Sequence, residues 1–257
     1  MKSVSYLSVP FLQKSGFLVS ISTRIGGVSQ KPYHSLNLSY HVGDDPEAVN
    51  ENRERFSEAI GFDLDSLVIA QQVHGDKVSV VDNSKAGCGA FTHKNAIPGA
   101  DAMITRSKKL TLGILTADCV PIMIADPVED TFGIAHAGWR GTLHSIGAKT
   151  VIKMQNEFAI KPKNCIVILG PAIRPCCYSV GEDLVKHFIQ EFGSEVCVSG
   201  NNLDLHKALE IQLVKAGIQK ENIFIESLCT SCNTDLLYSH RAENGHTGRI
   251  MSIIKRI

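Results

Sequence analysis

Short apolar runs bounded by glycine and polar clusters dominate the first half of the chain. GFLVSIST (16–23), LVIAQQVHG (67–75), KVSVVD (77–82), DAMITR (101–106), LTLGILTADCVPIMIAD (110–126) and TFGIAHAG (131–138) read as strands, several of them apolar at successive positions as strands buried on both faces are. CIVIL (165–169) adds another. Elsewhere the spacing is helical. Pro46 suits a first turn, with Asp44 or Asp45 as cap, and Val49, Arg53, Phe56 and Ile60 follow on one face. Thr142 to Phe158 puts Ile146, Thr150, Met154 and Phe158 on one side with Lys149, Lys153 and Glu157 interspersed. VGEDLVKHFIQEFG (180–193) and DLHKALEIQLVKAG (204–217) give two more helices, the latter with Asp204 as cap and Gly217 as stop. RIGGVSQKPYHSLNLSYHVGDDP (24–46) breaks all regular structure, and long loops of this kind often carry function. Many strands, then helices, in mixed alternation predict an α+β or mixed α/β architecture rather than a regular doubly wound sheet. With no repeat, low-complexity tract or linker in 257 residues, one domain spanning 1–257, or two halves sharing a core, is expected.

Charge and composition narrow the partner. Lys and Arg total 26 and Asp and Glu total 26, so the electrostatic footprint of non-specific binding to nucleic acid or anionic membranes is missing, and a small molecule is the expected partner. No apolar run reaches the roughly 18 residues of a membrane span. Pro10, Gln13 and Lys14 interrupt the N-terminal stretch before a signal-peptide core develops, which predicts a cytosolic protein. The eight cysteines (88, 119, 165, 176, 177, 197, 229 and 232) then read as thiols or metal ligands rather than a disulfide framework. The P-loop and GxGxxG patterns are absent, so ATP and NAD chemistry have no support.

Three β-like runs end in a ligand-type side chain beside a small residue: QVHG with His74, TADC with Cys119 and AHAGWRG with His136. Two imidazoles and a thiolate suit Zn²⁺, and three protein ligands leave a fourth position for water or substrate, as in catalytic zinc sites. The intervals of 45 and 17 residues match no zinc-finger spacing, and each residue alone more often serves as a satisfied core histidine or a buried thiol. Cys119 and His136 equally suit a nucleophile and its base. Asp118 would point away from Cys119 if both lay on one strand. Cys229 and Cys232 have CxxC spacing without a second CxxC, and Cys176 and Cys177 are adjacent rather than spaced for one metal, so ordinary thiols near a turn are expected there and a structural zinc is the minor reading. Among the arginines beside glycine, proline or polar loop residues (24, 53, 140, 174, 241 and 249), Arg24 at the start of the long loop and Arg140 in GWRGT stand out as anion grips. With Gln72 they are the candidates for holding substrate or phosphate.

Taken together, STRIGGVSQKPYHSLNLSYHVGDDPEAVNENR (22–53), QQVHGDKV (71–78), ADAMIT (100–105), TADCVPIMIAD (116–126), AHAGWRGT (135–142), GPAIRPCCYSVGEDL (170–184) and YSHRAENGHTGR (238–249) resemble the YfiH-type family across nearly the whole chain. Members of that family were long described as multicopper polyphenol oxidases or laccases and are now described as zinc-containing purine nucleoside phosphorylases, with related adenosine deaminase and methylthioadenosine phosphorylase activity. The resemblance implies metal ligation by His74, Cys119 and His136, zinc rather than copper, purine nucleosides and phosphate as substrates, and mixed β-sandwich-like sheets flanked by helices, similar to the catalytic domain of cytotoxic necrotizing factor. For deamination, Asp101 or Asp118 would have to carry the proton, since the H-x-E pattern of zinc nucleobase deaminases is absent. Ser179 stands where the family usually has Glu; either that Glu assists catalysis, or it caps the following helix as Ser can. The laccase name conflicts with the ten histidines, which include no HxH pair for a trinuclear copper cluster. Two other expectations stay open: a cysteine hydrolase or amidase using Cys119 and His136, and a non-enzymatic metal-binding module, which needs a fourth protein ligand such as His93 or His144.

Overall fold

The computed structural model describes residues 3–257. Thirteen strands and six α-helices alternate along it: β1 (Tyr6–Ser8), α1 (Pro10–Gln13), β2 (Phe17–Ser22), α2 (Pro46–Ile60), β3 (Leu67–Ile69), β4 (Val78–Val80), β5 (Ala102–Thr105), β6 (Thr111–Thr116), β7 (Val120–Asp126) and β8 (Thr131–Ala137), then α3 (Trp139–Leu143), α4 (Ile146–Phe158), β9 (Ile166–Leu169), α5 (Glu182–Phe192), β10 (Cys197–Ser199), β11 (Asn202–Leu203), α6 (Leu205–Lys215), β12 (Ile223–Ile225) and β13 (Ile250–Arg256). One sheet has the order β1-β2-β13-β6-β3, another β12-β9-β7-β8-β5-β4, and β10 pairs with β11. Both large sheets mix parallel and antiparallel pairs, as in β3 beside β6 and β13 beside β6. This is the mixed α/β class that the apolar patterning predicts.

Period-two alternation explains the layering. On β7, Ile122 and Ile124 face α4, α5 and α6, while Met123 and Ala125 face the other sheet. On β8, Phe132 and Ile134 turn toward the inter-sheet core, and Ala135 and Ala137 toward the helices. Val19, Ile21, Leu112, Ile114, Ile250 and Ile254 supply the opposing side of that inter-sheet core. The outer face of the five-stranded sheet, with Ile69, Leu115, Met251 and Ile253, is covered by Phe56 of α2 and by Leu36 and Leu38 of the long loop. Two sheets packed face to face, each with helix or loop on its outside, therefore make the core. Each fully buried Leu, Ile or Phe in it contributes about 1.5–3 kcal/mol of transfer free energy.

Several boundaries differ from the sequence reading, each for a local reason. Asp45 caps α2 by accepting the Glu47 N–H at 3.1 Å. The run 110–126 is two strands, broken at Ala117-Asp118-Cys119 where Asp118 takes φ 88°. The helix expected from Thr142 is likewise two, because Ser145 at φ 61° interrupts it between α3 and α4. Strand β13, buried on both faces over Ile250–Ile254 and so without polar–apolar alternation, is an element the sequence pattern does not predict. Ser179 caps no helix: the N-cap of α5 is Gly181, and Ser179 instead forms a β-bridge with Asn202.

Candidate metal and active site

Strand register brings the three ligand-type residues together. Pro121 pairs with His136 and Val120 with Ala137, so the start of β7 lies beside the end of β8 and Cys119, one residue before β7, arrives next to His136. His74 comes from the segment after β3, in a left-handed conformation at φ 59° that is uncommon for a residue with a side chain. The His74 and His136 rings meet edge to face with centroids 4.8 Å apart, and the donor atoms of His74, Cys119 and His136 all lie within 4.8 Å of one another. Gly138 explains the glycine of AHAG: a Cβ there would stand 3.0 Å from Cys119 Sγ and 3.2 Å from His74 Cδ2, crowding two of the three side chains.

Asp101 holds this arrangement from behind. Fully buried, its carboxylate accepts the backbone N–H groups of Val73 (3.1 Å), His74 (3.0 Å) and Gly75 (2.7 Å) and pairs with His136 Nδ1 at 2.8 Å. Its carbonyl accepts the His136 N–H at 2.7 Å. One residue thus fixes the backbone that presents His74 and the ring orientation of His136, leaving His136 Nε2 for Cys119. Burial alone would suppress charge on both, but the facing imidazoles outweigh it at Cys119 and bring the thiol down to about 6. At His136 burial is likewise outweighed, by the Cys119 thiolate and the bond to Asp101, and the imidazole rises to about 9. A thiolate and two imidazoles converging from three chain segments, one imidazole oriented by a carboxylate, fit a tetrahedral Zn²⁺ with one position left over. His74 is exposed and His136 buried, so a small molecule would reach these donors from the His74 side. No further donor joins this group among the described residues: His93 stacks on His41 at 5.5 Å, and His144 lies at the exposed C-cap of α3.

The remaining residues singled out in the sequence fall in different places. Asp118 sits in the turn, not on a strand, and its carboxylate accepts Thr230 Oγ1–H at 2.6 Å and the Arg241 N–H at 2.7 Å. Arg24 is engaged within the chain: it donates to the carbonyls of His34 and Thr234, pairs with Glu243 at 3.0 Å and stacks on Tyr238. The Gln72 amide spans the Leu115 backbone, donating to its carbonyl at 2.7 Å and accepting its N–H at 2.9 Å. Arg140 is exposed and lies over Trp139. In their stead Arg249 and Tyr178 come within electrostatic reach of Cys119, and Arg241 lies over the Tyr178 ring at 5.3 Å. Burial and the Cys119 charge push the Tyr178 phenol up to about 12, so it stays protonated at neutral pH. Sequence reading left Arg241 and Arg249 among the ordinary surface arginines and passed over Tyr178; only the folding of YSHRAENGHTGR and CCYSVG against the β6–β7 turn distinguishes them.

Comparison with known proteins adds names to this geometry. The family model described as multi-copper polyphenol oxidoreductase laccase matches residues 18–257. The purine nucleoside phosphorylase YlmD of Geobacillus stearothermophilus is 37% identical over 249 residues, covering 94% of this chain and 91% of the relative. YlmD of Bacillus subtilis, also named a purine nucleoside phosphorylase, is 35% identical over 244 residues, 92% of this chain and 87% of the relative. The crystal structure of the Bacillus licheniformis hypothetical protein YfiH superposes with a TM-score of 0.95 at 33% identity, covering 98% of this chain and 97% of that one.

Proposed function

This chain belongs to the multi-copper polyphenol oxidoreductase laccase family, and from that membership we propose that it is a zinc-dependent purine nucleoside phosphorylase acting on inosine, adenosine and methylthioadenosine. The observation that carries the reading is the convergence of His74, Cys119 and His136 donor atoms within 4.8 Å. These residues would hold Zn²⁺, which when bound supplies Lewis-acid stabilisation of developing negative charge. In phosphorolysis a phosphate oxygen bonds to the ribose C1′ as the C1′–N9 bond breaks and the purine leaves with the bond's electrons. The chain's part is positioning and charge. Arg249 and Arg241, each with one guanidinium nitrogen on backbone carbonyls, are assigned the phosphate on the Cys119 side, whereas the charge of Arg24 is matched by Glu243. Tyr178, protonated, offers a hydrogen bond to the departing base. Asp101 acts as a positioning residue, since four N–H groups already occupy its carboxylate. For adenosine deamination, the secondary activity, Asp118, one residue from Cys119, is the carboxylate assigned the proton, and it would have to exchange its bond from Thr230 or Arg241 to carry it.

Copper oxidation is disfavoured by the donors. The groups of three or more metal-ligating residues among the described residues are one His₂Cys set and one of four cysteines, neither of them a histidine-rich trinuclear centre. A cysteine hydrolase has one observation in its favour, the low Cys119 thiol facing His136; it predicts inactivation by alkylation of metal-free protein and indifference to chelators.

The test is incubation of metal-analysed protein with inosine, with and without phosphate, and chromatography of base and sugar products. Hypoxanthine and ribose 1-phosphate, formed only with phosphate and lost on zinc removal, are expected. Absence of product from inosine and adenosine in zinc-replete protein would overturn the reading.

A further inference from the structure

We propose that Cys176, Cys177, Cys229 and Cys232 form a second metal site, a tetrathiolate that binds one Zn²⁺ ion. Their sequence spacing argues against it, because two adjacent cysteines and one CxxC do not resemble paired zinc knuckles. The fold supplies what the spacing lacks. Residues 174–178 form a tight turn, with the Cys177 and Tyr178 N–H groups both donating to the Arg174 carbonyl at 2.9 Å. Cys229 and Cys232 flank a second turn, closed by the Asn233 N–H and side-chain amide on the Cys229 carbonyl. A parallel bridge between Ala172 and Cys229, with the Thr230 N–H on the Ala172 carbonyl at 3.1 Å, lays one turn against the other.

All four sulfurs then lie within 4.8 Å of one another, with Cys232 Sγ 3.3 Å from Cys177 Sγ and 3.6 Å from Cys176 Sγ. Zn–S bonds of about 2.3 Å set tetrahedral S···S separations near 3.8 Å, whereas a disulfide needs about 2.05 Å. So small a group encloses a single ion, not an iron–sulfur cluster. The Arg174 N–H donates to Cys229 Sγ at 3.4 Å and the Cys232 N–H points at the same sulfur, the backbone support that a thiolate ligand takes within a CxxC turn. Cys176 and Cys232 are exposed, which gives a cation a route in, and Cys229 is buried, which anchors the group to the core.

Both turns also touch the first site. The Ile173 N–H donates to the Asp118 carbonyl at 3.0 Å, Thr230 Oγ1–H to the Asp118 carboxylate, and Arg241 to the Cys177 carbonyl. An ion between the turns therefore ties down the groups that hold Asp118 and Arg241 beside Cys119. The tetrathiolate itself does not depend on the phosphorylase reading and the test reads no turnover; only the total of two ions and the Cys119→Ser value rest on metal at the first site, whereas the loss of one ion in the Cys232 and Cys176 variants does not.

The full-length chain, purified under reducing conditions, is analysed for zinc and then loaded with Co²⁺ for absorption spectroscopy. We expect about two zinc ions per chain, falling to about one in Cys232→Ala and in Cys176→Ala. Thiolate-to-cobalt charge transfer should fall to about a fifth in Cys232→Ala and lose about a fifth in Cys119→Ser, since one site offers four thiolates and the other one. Should those variants fold poorly, mass-mapped alkylation of the parent chain serves: zinc should protect Cys176 and Cys232 from reaction. Unchanged metal content and charge transfer in Cys232→Ala, no zinc protection, or a disulfide among the four in reduced protein would each overturn the proposal.

Discussion

At His136, one ring nitrogen faces Asp101 and the other Cys119, so in the proposed zinc site the imidazole would be oriented by a carboxylate that is not itself a ligand. Replacing Asp101 by Asn keeps the size but turns an acceptor of four N–H groups into a partial donor. Zinc affinity of the His74–Cys119–His136 site should drop about 10- to 100-fold, read by competition with a chelator of known affinity; unchanged affinity would show that Asp101 does not orient the ligand. The three donors were legible in sequence as residue types at the ends of apolar runs. Asp101 was legible only as a carboxylate near them, a proton carrier by type, because the sequence does not reveal how many N–H groups converge on it. Arg24 and Gln72 show the same limit: both carry groups that suit a substrate, and the sequence does not reveal that the fold engages those groups with Glu243 and with the Leu115 backbone.

Elements were easier to read in kind than in extent. The helix at Pro46 and its cap follow from local chemistry, whereas the break in LTLGILTADCVPIMIAD depends on a left-handed Asp118 that no apolar pattern marks. That break is what delivers Cys119 to His136. On α2, Arg53 looks from its spacing like part of an apolar face and is indeed buried, donating to the carbonyls of Leu38, Gly89 and Ala90 and so tying the helix to the long loop and to the segment before β5. Arg53→Met should leave those carbonyls without partners and cost about 3 kcal/mol in urea denaturation. A loss below about 1 kcal/mol would mean that water takes over the guanidinium's role. Strand β13 escaped notice because RIMSIIKRI lacks alternation; it lies in the interior of its sheet with both faces covered, and its neighbours come from β2 and β6, far away in sequence.

For the whole molecule, acid and metal act on stability in ways that can be separated. His206 on α6 is buried, its Nε2 against the Gly170 carbonyl at 2.9 Å, and burial together with Arg174 lowers its imidazole from 6.5 to about 4. Below pH 6.5 the unfolded chain takes up a proton that the folded one refuses. The stability due to a neutral His206 is therefore complete above pH 6.5 and is lost as pH falls toward about 4, by up to about 3 kcal/mol. His206→Gln should flatten the pH dependence of urea stability between pH 6.5 and 5; an unaltered slope would shift that acid sensitivity to other groups. A metal bound at the proposed sites would stabilise the folded chain by mass action, so chelation should lower Tm at neutral pH, where His206 is neutral with or without metal. If a strong chelator leaves Tm unmoved, no tightly held metal supports the fold.

The claim that joins these scales is that Cys119 is a metal ligand at the centre of a phosphorylase site. Zinc content and phosphate-dependent cleavage of inosine, measured side by side in Cys119→Ser and the parent chain, test it most directly. Cys119→Ser is expected to lose about one zinc ion per chain and its turnover together. A variant that keeps all the parent's zinc yet cannot turn over would mark Cys119 as a nucleophile, and one that keeps its turnover would contradict the account altogether.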